Sequence, residues 1–228
     1  TNSNIVPSAR IRRRSLGRRG VAPCNLQKAR LFFANCKGLS NIASVVMPNP
    51  RHDQPSARLL QTVPHMTVIG GRMRVKGIVF AELVGFLDQK GGPVFAEKVL
   101  AKADLDHGGA YTRIGLYPWE EAVRVVAAAS QESGADFDEL CQAFGQFLFE
   151  RFTILYAEII DRYPDAESLL THVGGHIHGE VRGMYPDAEP PNIATRKSAE
   201  GLIVEYESYR PFAHIAHGLI SGAMAHFG

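Results

Sequence analysis

His178-Gly-Glu-Val-Arg-Gly-Met-Tyr185-Pro186-Asp-Ala-Glu-Pro190-Pro191, followed after a short gap by Tyr206-Glu-Ser-Tyr-Arg210, is the stretch whose reading decides the fold. Upstream of it, Leu170, Val173, Ile177, Val181 and Met184 recur at helical spacing. That stripe predicts one helix over residues 166–184, capped by Asp165 after Pro164. Pro190-Pro191 then forbids its continuation. Beyond the prolines, Leu202, Val204 and Tyr206 alternate with Ile203 and Glu205, which predicts a hairpin of strands 192–197 and 202–208 around a turn at 198–201. Pro211 opens a last helix with Phe212, Ile215, Ala216 and Leu219 on one face. Helix, hairpin and helix in that order make the class α+β.

Working outward toward the N-terminus, the pattern is helical throughout. Val79, Leu83, Phe86 and Leu87 mark a first helix from residue 75, ending at Gly91-Gly92. A second spans 93–103, and a loop through Asp106-His-Gly-Gly109 follows it. Pro118 opens a third, with Val123, Val126 and Ala127 on one face, closed near Gly134. Asp136 and Glu139 form a capping-box pattern for a fourth. Its stripe is Phe137, Leu140, Cys141, Phe144, Phe147 and Leu148, and it runs on toward Tyr163 with a break near Phe152. There are no internal repeats.

The formal charge of +2 conceals an asymmetry: residues 1–72 carry a net +11 and the remainder a net −9. The switch falls at Met73, so 1–72 is set apart as a basic leader without regular structure, and 73–228 as the folded domain. Three readings of the leader compete: a transit-type segment, a non-specific nucleic-acid arm, or sequence that is not native, with Met73 as the true start. No function is assigned to it. Cys24 and Cys36 lie in the leader and Cys141 is alone in the domain, on an apolar stripe where it reads as inert core. That leaves no disulfide framework in the domain and suits a reducing compartment. No apolar run is long enough to span a bilayer and no secretory signal opens the chain. The expected location is cytoplasmic.

Nine histidines include His172, His176 and His178. His172 and His176 share a helical face, which suggests zinc, but His178 lies about 200° round the helix from His176, so the three do not converge. His178 sits above Gly174 and Gly175, two costly residues for a helix unless something flat must approach the backbone there. Downstream, Tyr206, Ser208 and Arg210 fall at alternate positions and place two hydroxyls and a guanidinium on one side. A neutral imidazole and a set of carboxylate-binding donors are what a haem with two propionates requires. A kinked helix and an ordinary strand end with a stray Arg would also account for these residues.

Taken together, these pieces resemble the H-NOX family, the haem–nitric oxide/oxygen binding domains. The resemblance is carried by Lys76-Gly-Ile-Val-Phe80, by Tyr117-Pro-Trp-Glu-Glu121, by His178…Tyr185-Pro186…Pro191, and by Tyr206-x-Ser208-x-Arg210. It implies a mainly helical distal subdomain and a proximal subdomain built from a long helix and a small antiparallel sheet. It also implies a haem b (iron protoporphyrin IX) with His178 as the iron ligand. Tyr206, Ser208 and Arg210 would hold the propionates, and Pro191 would press on the macrocycle. The position at which oxygen-binding members carry a distal tyrosine is Ile215 here. Leu83 and Leu148 would line the same pocket, with Val79, Phe152 and Leu219 beside them.

An all-apolar distal lining implies an NO- and CO-binding sensor that excludes O2, with a rotated last helix that brings His214 or His217 inward as its exception. The resemblance further implies a separately encoded partner, a histidine kinase or a cyclic-di-GMP enzyme, and no membrane or specific nucleic-acid target. No enzymatic activity is expected. Family domains continue past the last helix with two further strands, so the sheet is expected to be truncated to a marginal hairpin at Gly228. The rival readings are a haem enzyme, for which no distal acid–base pair is evident, and a haem-free metal- or partner-binding helical protein.

Overall fold

The computed structural model describes residues 27–34, 43–46, 74–186, 188–199 and 201–228. Its helical half begins with a short strand rather than a helix: Arg74–Lys76 (β3) pairs antiparallel with Leu116–Pro118 (β4). As expected, two helical segments meet at Gly91-Gly92: the span Gly77–Lys102 (α1) is kinked at Gly92 (φ 78°), whose backbone is not helical, just ahead of Pro93. Pro93 cannot donate to the preceding turn, and a glycine with positive φ absorbs the change of direction. Trp119–Ser133 (α2) ends on Gly134 in the left-handed region (φ 75°), a common helix terminus. Phe137–Leu155 (α3) starts where expected, with the Asp136 carboxylate accepting from Asp138 N and Glu139 N at 2.8 and 3.1 Å. The break expected near Phe152 comes at Tyr156, before the short helix Ala157–Ile160 (α4).

These helices enclose one core in which Phe80, Leu83, Leu87, Val99, Val125, Cys141 and Phe144 are almost wholly buried. Burial pushes the Cys141 thiol far up from its ordinary value, which makes it inert core as expected. A buried carboxylate, Glu82 (3 % exposed), joins three segments. Arg151 Nε donates to its Oε2 at 2.7 Å, and Arg113 Nη2 stands 2.8 Å from Oε1 as an ion pair outside hydrogen-bond alignment.

In the second half the single helix expected over 166–184 is interrupted. Ala166–His172 (α5) gives way to a π-helical turn, Val173–Ile177, and then to His178–Met184 (α6). Asp165 caps α5 by accepting from Ser168 N at 2.7 Å. After the prolines, Asn192–Ser198 (β5) and Gly201–Ser208 (β6) pair as the expected antiparallel hairpin. Ala213–Phe227 (α7) closes the chain's described elements. It packs closely along α3, because Gly145 and Gly218 face each other: a Cβ on either would collide with the carbonyl oxygen of Ile215 or of Gln142.

The sheet departs from expectation. Among the described residues it has four strands, not two: Gln27–Ala34 (β1) lies between β6 and Ala43–Val46 (β2), which gives the order β2-β1-β6-β5. The extra pair comes from the leader that was expected to lack regular structure. Eight residues suffice for a strand, but they are too few to show a sustained period when the partner strand lies far along the chain. The sheet thus draws strands from both sides of the expected boundary at Met73. The Arg-rich run 11–19, Cys24, Cys36 and Met73 itself lie outside the described residues. No helix among the described residues is long and apolar enough to cross a membrane.

Candidate functional site

His178 opens α6 directly after the π-helical turn. Such a turn carries one more residue than an α-turn, so it rotates the face bearing His178 away from the line of Leu169 and Leu170; π-bulges of this type occur often at functional sites. Gly174 has a different cause from the one expected. A Cβ on Gly174 would collide with the carbonyl oxygen of Ile193 in β5, while one on Gly175 would meet nothing. Gly174 is therefore required by the sheet, and open space lies beside Gly175.

The imidazole is partly buried, and its Nδ1 is enclosed without a hydrogen-bond partner. Burial first, and the Arg182 charge second, push its pKa down; the Pro191 backbone acts weakly in the opposite direction. At neutral pH the ring is therefore neutral, the state that coordinates a metal. That influence puts the Pro191 backbone near His178. His172 and His176 diverge from it: His172 Nδ1 lies 2.7 Å from Ser168 O, and His176 pairs with Glu180 at 3.4 Å, both exposed.

The donor set is assembled and buried. Tyr206 and Ser208 lie on one face of β6, and the Tyr206 hydroxyl hydrogen-bonds Ser208. Ser208 Oγ accepts from Arg210 N at 3.1 Å. Arg210, beyond the strand end and only 6 % exposed, donates to Glu189 O (2.6 Å), Tyr209 Oη (2.7 Å) and Arg74 O (3.3 Å). Its Nε is enclosed with no partner, and among the described residues it has no ion pair. A buried guanidinium met only by neutral acceptors is expensive. A ligand carboxylate would satisfy it. Nothing in residue type marks the Glu189 or Arg74 carbonyl as a partner of Arg210, since backbone acceptors are common to every residue.

Leu83, Leu148 and Ile215 are buried in one apolar cluster, with Val79, Phe152 and Leu219 packed against it. The α3–α7 glycine contact brings the last helix this close. His214 turns outward to Asp138 at 3.5 Å. His217 is buried but shares its side of α7 with Ala213 and Ile220, which pack against Tyr206 and Val204 of β6. It lies about 200° round the helix from Ile215, so neither imidazole joins the distal cluster.

A ring nitrogen held neutral, a buried cation with no ion pair among the described residues, and an apolar wall define the class: an α+β domain whose polar groups suit a carboxylate-bearing iron macrocycle. Comparison with known proteins agrees. The family model described as Haem-NO-binding matches residues 76–228. Solved structures similar to this chain include the Fe(II) unliganded H-NOX protein from K. algicida (28 % identity, TM-score 0.62, covering 67 % of this chain and 83 % of that one). The S. oneidensis H-NOX protein in the Fe(II)NO state is similar at 27 % identity and TM-score 0.62, covering 67 % and 85 %. The Shewanella woodyi H-NOX in the Fe(II)CO state is similar at 31 % identity and TM-score 0.59, covering 67 % and 81 %. No curated protein matches the chain. The chain belongs to the haem–NO-binding, or H-NOX, family, and that membership implies haem-based gas sensing.

Proposed function

We propose that this protein binds haem b through His178 and senses NO, and CO as its analogue, while excluding O2. The observation that carries the reading is the pairing of two unsatisfied buried groups, His178 Nδ1 and Arg210 Nε, in one proximal region. His178 offers the iron a neutral nitrogen. Tyr206, Ser208 and Arg210 hold the propionates through charge-assisted hydrogen bonds, and Pro191 bears on the macrocycle from beside His178. When bound, the haem supplies one open iron position for a diatomic gas.

On the other side the lining is Leu83, Leu148, Ile215, Val79, Phe152 and Leu219, none of which donates a hydrogen bond. Bound O2 is polar and needs such a donor; NO does not. His178 also joins the ligand to the fold, because the adjacent π-helical turn rests against β5 at Gly174 and Ile193. A change in the pull on that imidazole passes to the sheet, where a partner reads it. The protein has no catalysis of its own in this reading, and a separately encoded histidine kinase or cyclic-di-GMP enzyme in the cytoplasm is the recipient.

Absorbance spectra of the haem-loaded, reduced full chain under argon, O2, CO and NO test this. NO and CO should each shift the Soret band, and O2 should leave the ferrous spectrum without a stable complex. A long-lived O2 complex would overturn the selectivity, and failure to take up haem would overturn the whole reading.

A further inference from the structure

The strand that carries Tyr206 and Ser208 has β5 on one side only. Its other side is paired along its full length by β1, from Gln27↔Ser208 to Ala34↔Gly201, and β2 pairs in turn with β1 from Arg30↔Val46 to Phe33↔Ala43. Residue types at the register positions agree with this pairing. Lys28 is the partner of Glu207 and Arg30 the partner of Glu205, while Ala29, Leu31 and Phe33 are the partners of Tyr206, Val204 and Leu202. Basic positions thus meet acidic ones, and apolar positions meet a buried row. A slip of one residue would break both sets of matches, which is how a register is specified. The leader's net +11 against the domain's −9 favours the same association.

We propose that strands 27–34 and 43–46 are a donor pair of this domain: β1 occupies the otherwise open edge of β6, β2 covers β1 in turn, and together they keep the Tyr206/Ser208 strand central in its sheet. An unpaired β6 would present a row of free N–H and C=O groups to any passing strand. The occupant is the chain's own segment, so the basic leader is a working part of the fold. This inference does not depend on haem binding, and its test is made on the haem-free chain.

Hydrogen exchange at β6 amides and thermal unfolding are compared for the full chain and for a chain lacking residues 1–46. Removal should cost at least about tenfold in β6 protection and lower Tm by about 5 °C or more. Adding a peptide of residues 24–47 should restore both. Should the shortened chain fail to fold, the full chain decides: K28E/R30E should lower Tm, and adding E205K/E207K should recover part of that loss. Equal protection and Tm with and without residues 1–46 would overturn the proposal. So would a charge-swapped variant no more stable than K28E/R30E. Protection of β6 that appears only as dimers form would assign the donor pair to a second copy and overturn the intrachain arrangement.

Discussion

The two halves of the molecule treat buried charge in opposite ways. In the distal half, Glu82 meets Arg113 and Arg151, and Glu121 accepts from Tyr111 Oη at 2.9 Å with His107 Nε2 at 3.0 Å. In the proximal half, Arg210 is buried against carbonyls and a phenol, with Nε unpaired. A charge whose partners are all within the chain is there for the fold. Arg210, with no ion pair among the described residues and its Nε unpaired, has capacity for a further anionic partner.

The contrast can be broken by two substitutions with opposite expected signatures. Glu82→Leu removes the shared partner of two arginines and should cost about 2–3 kcal/mol of haem-free stability, discounted because both arginines are partly exposed. Once folded, that variant should lose haem little faster than the parent. Arg210→Met should do the reverse. Haem-free stability should hold or rise by about 1 kcal/mol, as a buried unpaired charge is removed, while haem dissociates at least about tenfold faster for loss of a charge-assisted bond. Denaturant unfolding and haem transfer to a scavenging globin measure the two quantities. If Arg210→Met is the more destabilising of the two in the haem-free state, the contrast is wrong.

Adjacent glycines sharpen the same division on a smaller scale. Gly174→Ala should cost about 1–3 kcal/mol, since the new methyl meets the Ile193 carbonyl. Gly175→Ala has open space and should gain up to about 1 kcal/mol through helix propensity. Equal effects would mean that the π-helical turn does not rest on β5 as described.

The smallest effect concerns pH. Burial, then the neighbouring His214 charge, push the His217 pKa down. The unfolded chain therefore binds the proton more readily, and stability falls as pH drops below about 6.5. His217→Gln should flatten the decline of Tm between pH 7 and 5 in the haem-free chain. An unchanged slope would remove His217 from the account.

Much of this was legible because the deciding patterns are local. Period-two alternation marked the β5–β6 hairpin to within a residue at each end, and Asp136 and Asp165 announced their helices. The donor set was legible for the same reason, as three side chains within five residues of one another. What escaped was non-local. The Gln27–Ala34 strand takes its ladder from residues far along the chain, and no window of sequence contains both. The π-helical turn escaped because Gly174 answers to the β5 backbone, not to its own helix. The kink at Gly92, by contrast, was legible because a glycine followed by a proline interrupts a helix.

The central claim is that His178 is the residue through which this domain holds its haem. Haem uptake by His178→Gly, followed by absorbance with and without added imidazole, tests it most directly. The account predicts that the variant takes up haem in a five-coordinate ferrous state only when imidazole is supplied. Uptake equal to the parent without imidazole, and with the same ferrous spectrum, would contradict it.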